Sequence, residues 1–164
     1  MTKAEREKEK LEGMLRGIRA YLPPPGTIFE SYTFLAPESL WTGKMRGQLF
    51  VAVAENRWDN SGSGWFLADL YLDGVFVADL KKRTVVNYCA SSFSNFIKIM
   101  DLYQAAVKNT PAPESVRDDK GYRCCEKAEE VLRKQVTEID PTALSRDSYF
   151  WSTRIEEFGA GIIL

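Results

Sequence analysis

Apolar residues recur along this chain with two periods, and each change of period marks a change of element. From Glu5 to Tyr21 the spacing is helical: Leu11, Met14, Leu15, Ile18 and Leu22 share a stripe, with charged residues on the other side. Pro23-Pro24-Pro25-Gly26 ends that helix. Thr27 to Leu35 predicts a first strand, followed by a loop carrying Pro37, Trp41, Gly43 and Gly47. Gln48 to Glu55 predicts a second strand, apolar enough to be buried on both faces. Asn56 to Gly64 is a polar loop rich in turn residues.

The next segment predicts a hairpin turning at Asp73-Gly74, a pair that tolerates the two positive φ angles of a type I′ turn. In that register Leu72 faces Val75, Tyr71 faces Phe76, Leu70 faces Val77 and Asp69 faces Ala78. One face then carries Phe66, Ala68, Leu70, Leu72, Val75 and Val77. The other carries Trp65, Leu67, Tyr71, Phe76, Ala78 and Leu80. Both are apolar, so helices should cover one and a further layer or a partner the other. After the basic turn Lys81-Lys82-Arg83, Thr84 to Tyr88 predicts a β-branched strand.

Ser91 or Ser92 caps a helix whose stripe is Phe93, Phe96, Ile97, Met100 and Val107. Asn109 to Gly121, with Pro111 and Pro113, is a surface connection. Tyr122 to Ile139 is a further helix with Ala128, Val131, Leu132, Val136 and Ile139 inward. Asp140 can cap a turn opening on Pro141. A last helix from Asp147 or Ser148 places Trp151, Ile155 and Phe158 on one face and closes at Gly159 or Gly161. The whole predicts one α+β domain over residues 1–164, a mostly antiparallel sheet of about 4–6 strands flanked by helices.

Composition narrows the chemistry. The chain contains no histidine, which removes Ser-His and Cys-His catalysis and any His-ligated metal. A net charge of −1 does not argue for nucleic acid as a partner. The basic residues of Lys3–Lys10 alternate with Glu5, Glu7 and Glu9, as on a solvated helix surface. No apolar run reaches the ~18 residues of a membrane span, and Met1 to Lys10 is too charged for a signal peptide. Cys89, Cys124 and Cys125 form no C-x-x-C and read as idle thiols of a reducing compartment. The expected location is therefore the cytoplasm, away from any membrane.

Two stretches carry a resemblance. The first is Ile139-Asp140-Pro141-Thr142-Ala143-Leu144, then Tyr149-Phe150-Trp151-Ser152-Thr153-Arg154-Ile155-Glu156-Glu157-Phe158-Gly159-Ala160-Gly161. The second runs from Gly64 to Val77, then Ser91-Ser92-Phe93-Ser94-Asn95-Phe96 and Leu102-Tyr103. Their order and spacing resemble the SUKH superfamily, in particular its fourth subgroup of bacterial immunity proteins, related in fold to fungal cell-wall-synthesis regulators. The resemblance implies an α+β scaffold without catalysis. It would neutralise a cognate polymorphic toxin, of nuclease or nucleic-acid deaminase type, by blocking its active site. A regulatory protein-interaction adaptor of the fungal kind is the alternative. The resemblance carries over no fixed binding residues.

The contact surface is instead read from this chain alone: Glu55, Arg57, Trp58, Asp59 and Asn60 in the loop after the second strand, with Asp69, Tyr71 and Asp73 on the hairpin. Aromatic anchors beside carboxylates suit a protein partner with a basic, substrate-binding cleft. No cofactor, metal or catalytic residue is expected. Asp69 with Asp79 and Lys81 is similar to the carboxylates and lysine of a metal-dependent nuclease, but Ala68 stands where a proline is expected and the register puts the two aspartates on opposite faces. Glu55, Asp59 and Asn60 lack the alternation of a calcium loop, and Glu156-Glu157 diverge around their helix.

Overall fold

A computed structural model of the chain describes residues 1–56, 64–69, 74–110 and 125–161, with positions 67 and 69 described by backbone alone. Its elements are α1 (Lys3–Tyr21), β1 (Ile28–Phe29), β2 (Tyr32–Phe34), a 3-10 turn (Pro37–Ser39), β3 (Trp41–Met45), β4 (Gln48–Asn56), β5 (Gly64–Asp69), β6 (Val75–Asp79), β7 (Thr84–Ala90), α2 (Phe93–Asn109), α3 (Glu126–Ile139) and α4 (Phe150–Gly159). The class is α+β, as the pattern predicts, with a seven-stranded antiparallel sheet. Among the described residues no helix is long and apolar enough to cross a membrane. The chain divides into two compact units, Met1–Ser94 and Asn95–Leu164.

In the first unit, α1 starts two residues before the predicted Glu5 because Thr2 and Glu5 cap it reciprocally. The Glu5 N–H donates to Thr2 Oγ1 at 3.2 Å and the Thr2 N–H to Glu5 Oε2 at 2.7 Å. Ile18 is buried on the predicted stripe. The predicted first strand is broken in two by a turn at Glu30, whose φ is 52°. The predicted loop around Trp41 and Gly43 is instead β3, paired with β4 from Trp41↔Ala52 to Met45↔Gln48. Its two-residue turn, Arg46-Gly47, has φ angles of 50° and 79°. That is the doubly left-handed geometry predicted for Asp73-Gly74.

Strand β4 is central, with β2 and β3 sharing one edge and β5 on the other. Phe50, Val51, Ala52, Val53 and Ala54 are all buried, so both faces of this strand are covered as its apolar run predicts. Strands β5 and β6 pair as a hairpin, but Ala68 faces Val75 and Trp65 faces Ala78. The predicted register, with Leu72 facing Val75, is therefore displaced by four residues. An even displacement keeps every side chain on its face. Phe66, Ala68, Val75 and Val77 form one buried face, and Tyr32 stacks on Phe66 with ring centroids 4.0 Å apart. On the turn from β6 to β7, Asp79 Oδ1 accepts the Lys82 N–H at 3.0 Å. Strand β7 ends the sheet, and its pairing with β6 shifts register twice, between Val75 and Phe76 and between Val77 and Ala78.

In the second unit, aromatic rings fill the space among helices. Trp151 lies 5.7 Å from Phe96, 5.6 Å from Tyr103 and 5.1 Å from Phe150, centroid to centroid. Trp151, Ile155 and Phe158 are fully buried, as predicted for one face of α4. The α3 stripe differs at one position: Val131 is 58% exposed, while Glu129 is buried and accepts two hydrogen bonds from Arg133 at 3.1 and 3.0 Å. Asp140 caps its turn as predicted, Oδ1 accepting the Thr142 N–H at 3.0 Å and the Thr142 hydroxyl at 2.6 Å. Gly161 closes α4 with φ 78°. Gly159 is a helical residue whose carbonyl accepts the Cys125 N–H at 3.1 Å.

Candidate protein-docking face

Directly opposed residues of an antiparallel pair share a face. The pairs Trp41↔Ala52, Gly43↔Phe50, Glu55↔Trp65, Trp65↔Ala78 and Phe76↔Tyr88 therefore define the second face of the sheet. It is lined by aromatic rings. Trp41 stands edge-on to Phe50 at 5.6 Å and to Trp65 at 5.2 Å, and Phe76 stands edge-on to Tyr88 at 5.4 Å. Edge-to-face contacts of this kind fix ring orientation as well as adding to burial. Gly43 makes room for them: a Cβ there would meet Phe50 Cζ at 2.7 Å.

The centre of this face is closed and its margins are open. Phe50, Ala52 and Ala78 are buried beneath Leu35, Met45, Trp65 and Leu80, all only partly covered. Trp41 remains 38% exposed, and on β7 Val85 is 52% and Val86 63% exposed. The prediction that the second face is apolar and wants a further layer agrees with these open margins. The apolar rim is bordered by Arg46 on the β3–β4 turn and by Lys81, Lys82 and Arg83 on the β6–β7 turn, all exposed. Two acidic positions share this face in the ladders, Glu55 opposite Trp65 and Thr33, and Asp69 opposite Phe50.

Of the predicted contact residues, Glu55 is on this face, and Asp69 ends β5 opposite Phe50. Arg57, Trp58, Asp59, Asn60, Tyr71 and Asp73 lie outside the described residues. The described border is basic, whereas the predicted surface is acidic beside its aromatics. Trp41, Phe76, Tyr88, Val85 and Val86 were not among the predicted contacts. The alternation through Phe76, Ala78 and Leu80 already marked the face, but Trp41 was assigned to a loop and so to no face.

The aspartates of the nuclease-like reading are far apart. Asp79 pairs with Gly64, five positions along β5 from Asp69, roughly 16 Å at the rise of a strand. Among the described residues no group of three or more His, Cys, Asp or Glu side chains could hold a metal ion. Of the three cysteines, Cys89 and Cys125 are buried and in no disulfide, and Cys124 lies outside the described residues. Glu156 is exposed and Glu157 half-buried on α4. What this face offers is apolar and aromatic contact area on paired strands. Compared with known proteins, the chain matches no family model, no curated protein and no solved structure.

Proposed function

We propose that the protein is a non-enzymatic immunity protein acting in the cytoplasm, which binds a cognate toxin domain and covers its active site. One observation carries the reading: an aromatic sheet face whose margin leaves Trp41 and Val85 exposed. Exposed aromatic and aliphatic residues on a rigid element are the usual anchors of a protein interface. The order of motifs through residues 139–161 supports the same reading by resemblance. Trp58 and Asp59 lie in sequence between β4, which ends at Asn56, and β5, which begins at Gly64, so they are tested together with the face.

The mechanism is stoichiometric. Docking buries the aromatic margin against the toxin and keeps substrate from its catalytic cleft, with no bond made or broken. The test is a growth-rescue assay with the product of the neighbouring gene. The wild-type chain should restore growth, while the folded double variant Trp41→Ala with Val85→Asp should not. Trp58→Ala with Asp59→Ala tests the flanking loop in the same assay. Rescue that survives both pairs removes this face from the mechanism. Capture of a host regulatory protein, with no rescue by the wild-type chain, turns the reading to the adaptor.

A further inference from the structure

The charged first turns of α1 do more than face solvent. Lys3, Arg6 and Lys10 lie at positions i, i+3 and i+7, on one side of the helix, and that side meets the β3–β4 hairpin. Together with Lys44 of β3 they line a groove of about 330 Å³ whose floor includes Gly47 and Leu49. Among the described residues Glu7 is the one acidic residue in its lining. Four cations against one carboxylate leave the groove with three net positive charges on a chain whose net charge is −1. Glu5 is held in the helix cap by Thr2, and Glu9 and Glu12 do not line the groove. The alternation of signs along the sequence thus becomes a separation of signs around the helix.

We infer that this groove binds a condensed phosphate, meaning two or more linked phosphoryl groups such as pyrophosphate or the polyphosphate tail of a nucleotide. The row of cations sets the length of the ligand: Lys3 to Lys10 span about 10 Å along the axis at the helical rise. A single phosphate meets one part of such a row, whereas a chain of phosphates meets all of it and Lys44 opposite. The volume is at the lower end of the range for small-molecule sites. A cleft lined by one sign of charge concentrates counter-charged ligands, and Arg6 adds the fork geometry that suits phosphoryl oxygens.

Calorimetric titration of the full chain with orthophosphate, pyrophosphate and tripolyphosphate at matched ionic strength tests this assignment. Tripolyphosphate should bind at least about tenfold tighter than orthophosphate, and more weakly as salt rises. Arg6→Ala with Lys44→Ala should weaken it roughly tenfold or more, Glu7→Gln should tighten it, and Arg16→Ala, outside the groove, should leave it unchanged. Amide shifts on titration should centre on Lys44 and Gly47. Equal binding of the three anions, shifts centred elsewhere, or affinity indifferent to Arg6 and Lys44 would overturn the site. Tighter binding of a hexaglutamate peptide or a single-stranded oligonucleotide would overturn its assignment to condensed phosphate.

Discussion

Replacing Gly159 by alanine should destabilise the protein, although helix propensity alone says the opposite. Gly159 has helical geometry in the last turn of α4, where alanine is favoured over glycine by about 1 kcal/mol. The added Cβ, however, would run into the Glu129 carboxylate, 2.5 Å from its Cδ and 2.9 Å from its Cβ. Glu129 has little room to retreat, because its side chain is 3% exposed and tied to Arg133 at 3.0 Å. Either α3 and α4 move apart, at the ~1–3 kcal/mol typical of overpacking, or the Glu129–Arg133 pair, whose arginine is 37% exposed, is disturbed at about 1–3 kcal/mol. Moving the helices apart also stretches the 3.1 Å bond from the Cys125 N–H to the Gly159 carbonyl. Either cost less the propensity gain leaves a net loss of up to about 2 kcal/mol. In urea unfolding followed by far-ultraviolet circular dichroism, that lowers the midpoint by up to about 1 M. Adding Glu129→Ala removes Cδ and the carboxylate but leaves Cβ, so the double variant should recover part of the loss. A Gly159→Ala midpoint at or above the wild-type value would refute the close approach of these helices.

Three further substitutions follow from single residues. Arg46→Gly should raise stability by up to about 1 kcal/mol in the same urea assay, since an arginine now holds φ 50° in the β3–β4 turn. Asp140→Ala should lower the thermal midpoint, at a cost of about 2–3 kcal/mol, because a fully buried carboxylate that accepts from Thr142 twice and from Asn95 at 3.4 Å is lost. Ser152→Ala should be neutral or stabilising by about 1 kcal/mol, because the buried Ser152 hydroxyl has no hydrogen-bond partner; a drop in thermal midpoint would show that it has one.

Where local physics and tertiary packing agree, the elements were legible from residue order. The stripe of α1, the apolar run of β4 and the aromatic face of α4 are periodic signals that burial respects. Hairpin geometry was harder. Asp-Gly is the stronger local turn signal, yet the doubly left-handed turn falls at Arg46-Gly47 and the β5–β6 pair closes at Ala68↔Val75. Turn propensity differs between such pairs by about a kcal/mol, less than one well-buried aromatic side chain decides. The faces survived the wrong register because the displacement is even. Strand β3 was missed because its alternate positions carry Thr42 and Lys44, and Gly43 interrupts the pattern between Trp41 and Met45. That glycine is a packing requirement of Phe50, which cannot be read before the pairing is known. The same holds for Val131 and Glu129, whose exchange of places is set by Gly159 on the neighbouring helix.

The pairing of β7 bears on how a partner would be held. An end strand ordinarily offers its free backbone edge, and a second protein can add a strand there with little regard for side chains. Here the edge is interrupted twice within seven residues by register shifts, and the turn before it carries Lys81, Lys82 and Arg83. Bulges twist an edge strand and break the regular row of donors and acceptors that strand addition requires. Val85 and Val86 are nevertheless exposed at the first of these shifts along β7, so apolar area is offered where backbone pairing is obstructed. Docking on the aromatic face would then rely on side chains and not on a shared ladder. Recognition of that kind can be changed residue by residue without disturbing the sheet, as the proposed toxin-blocking role would require.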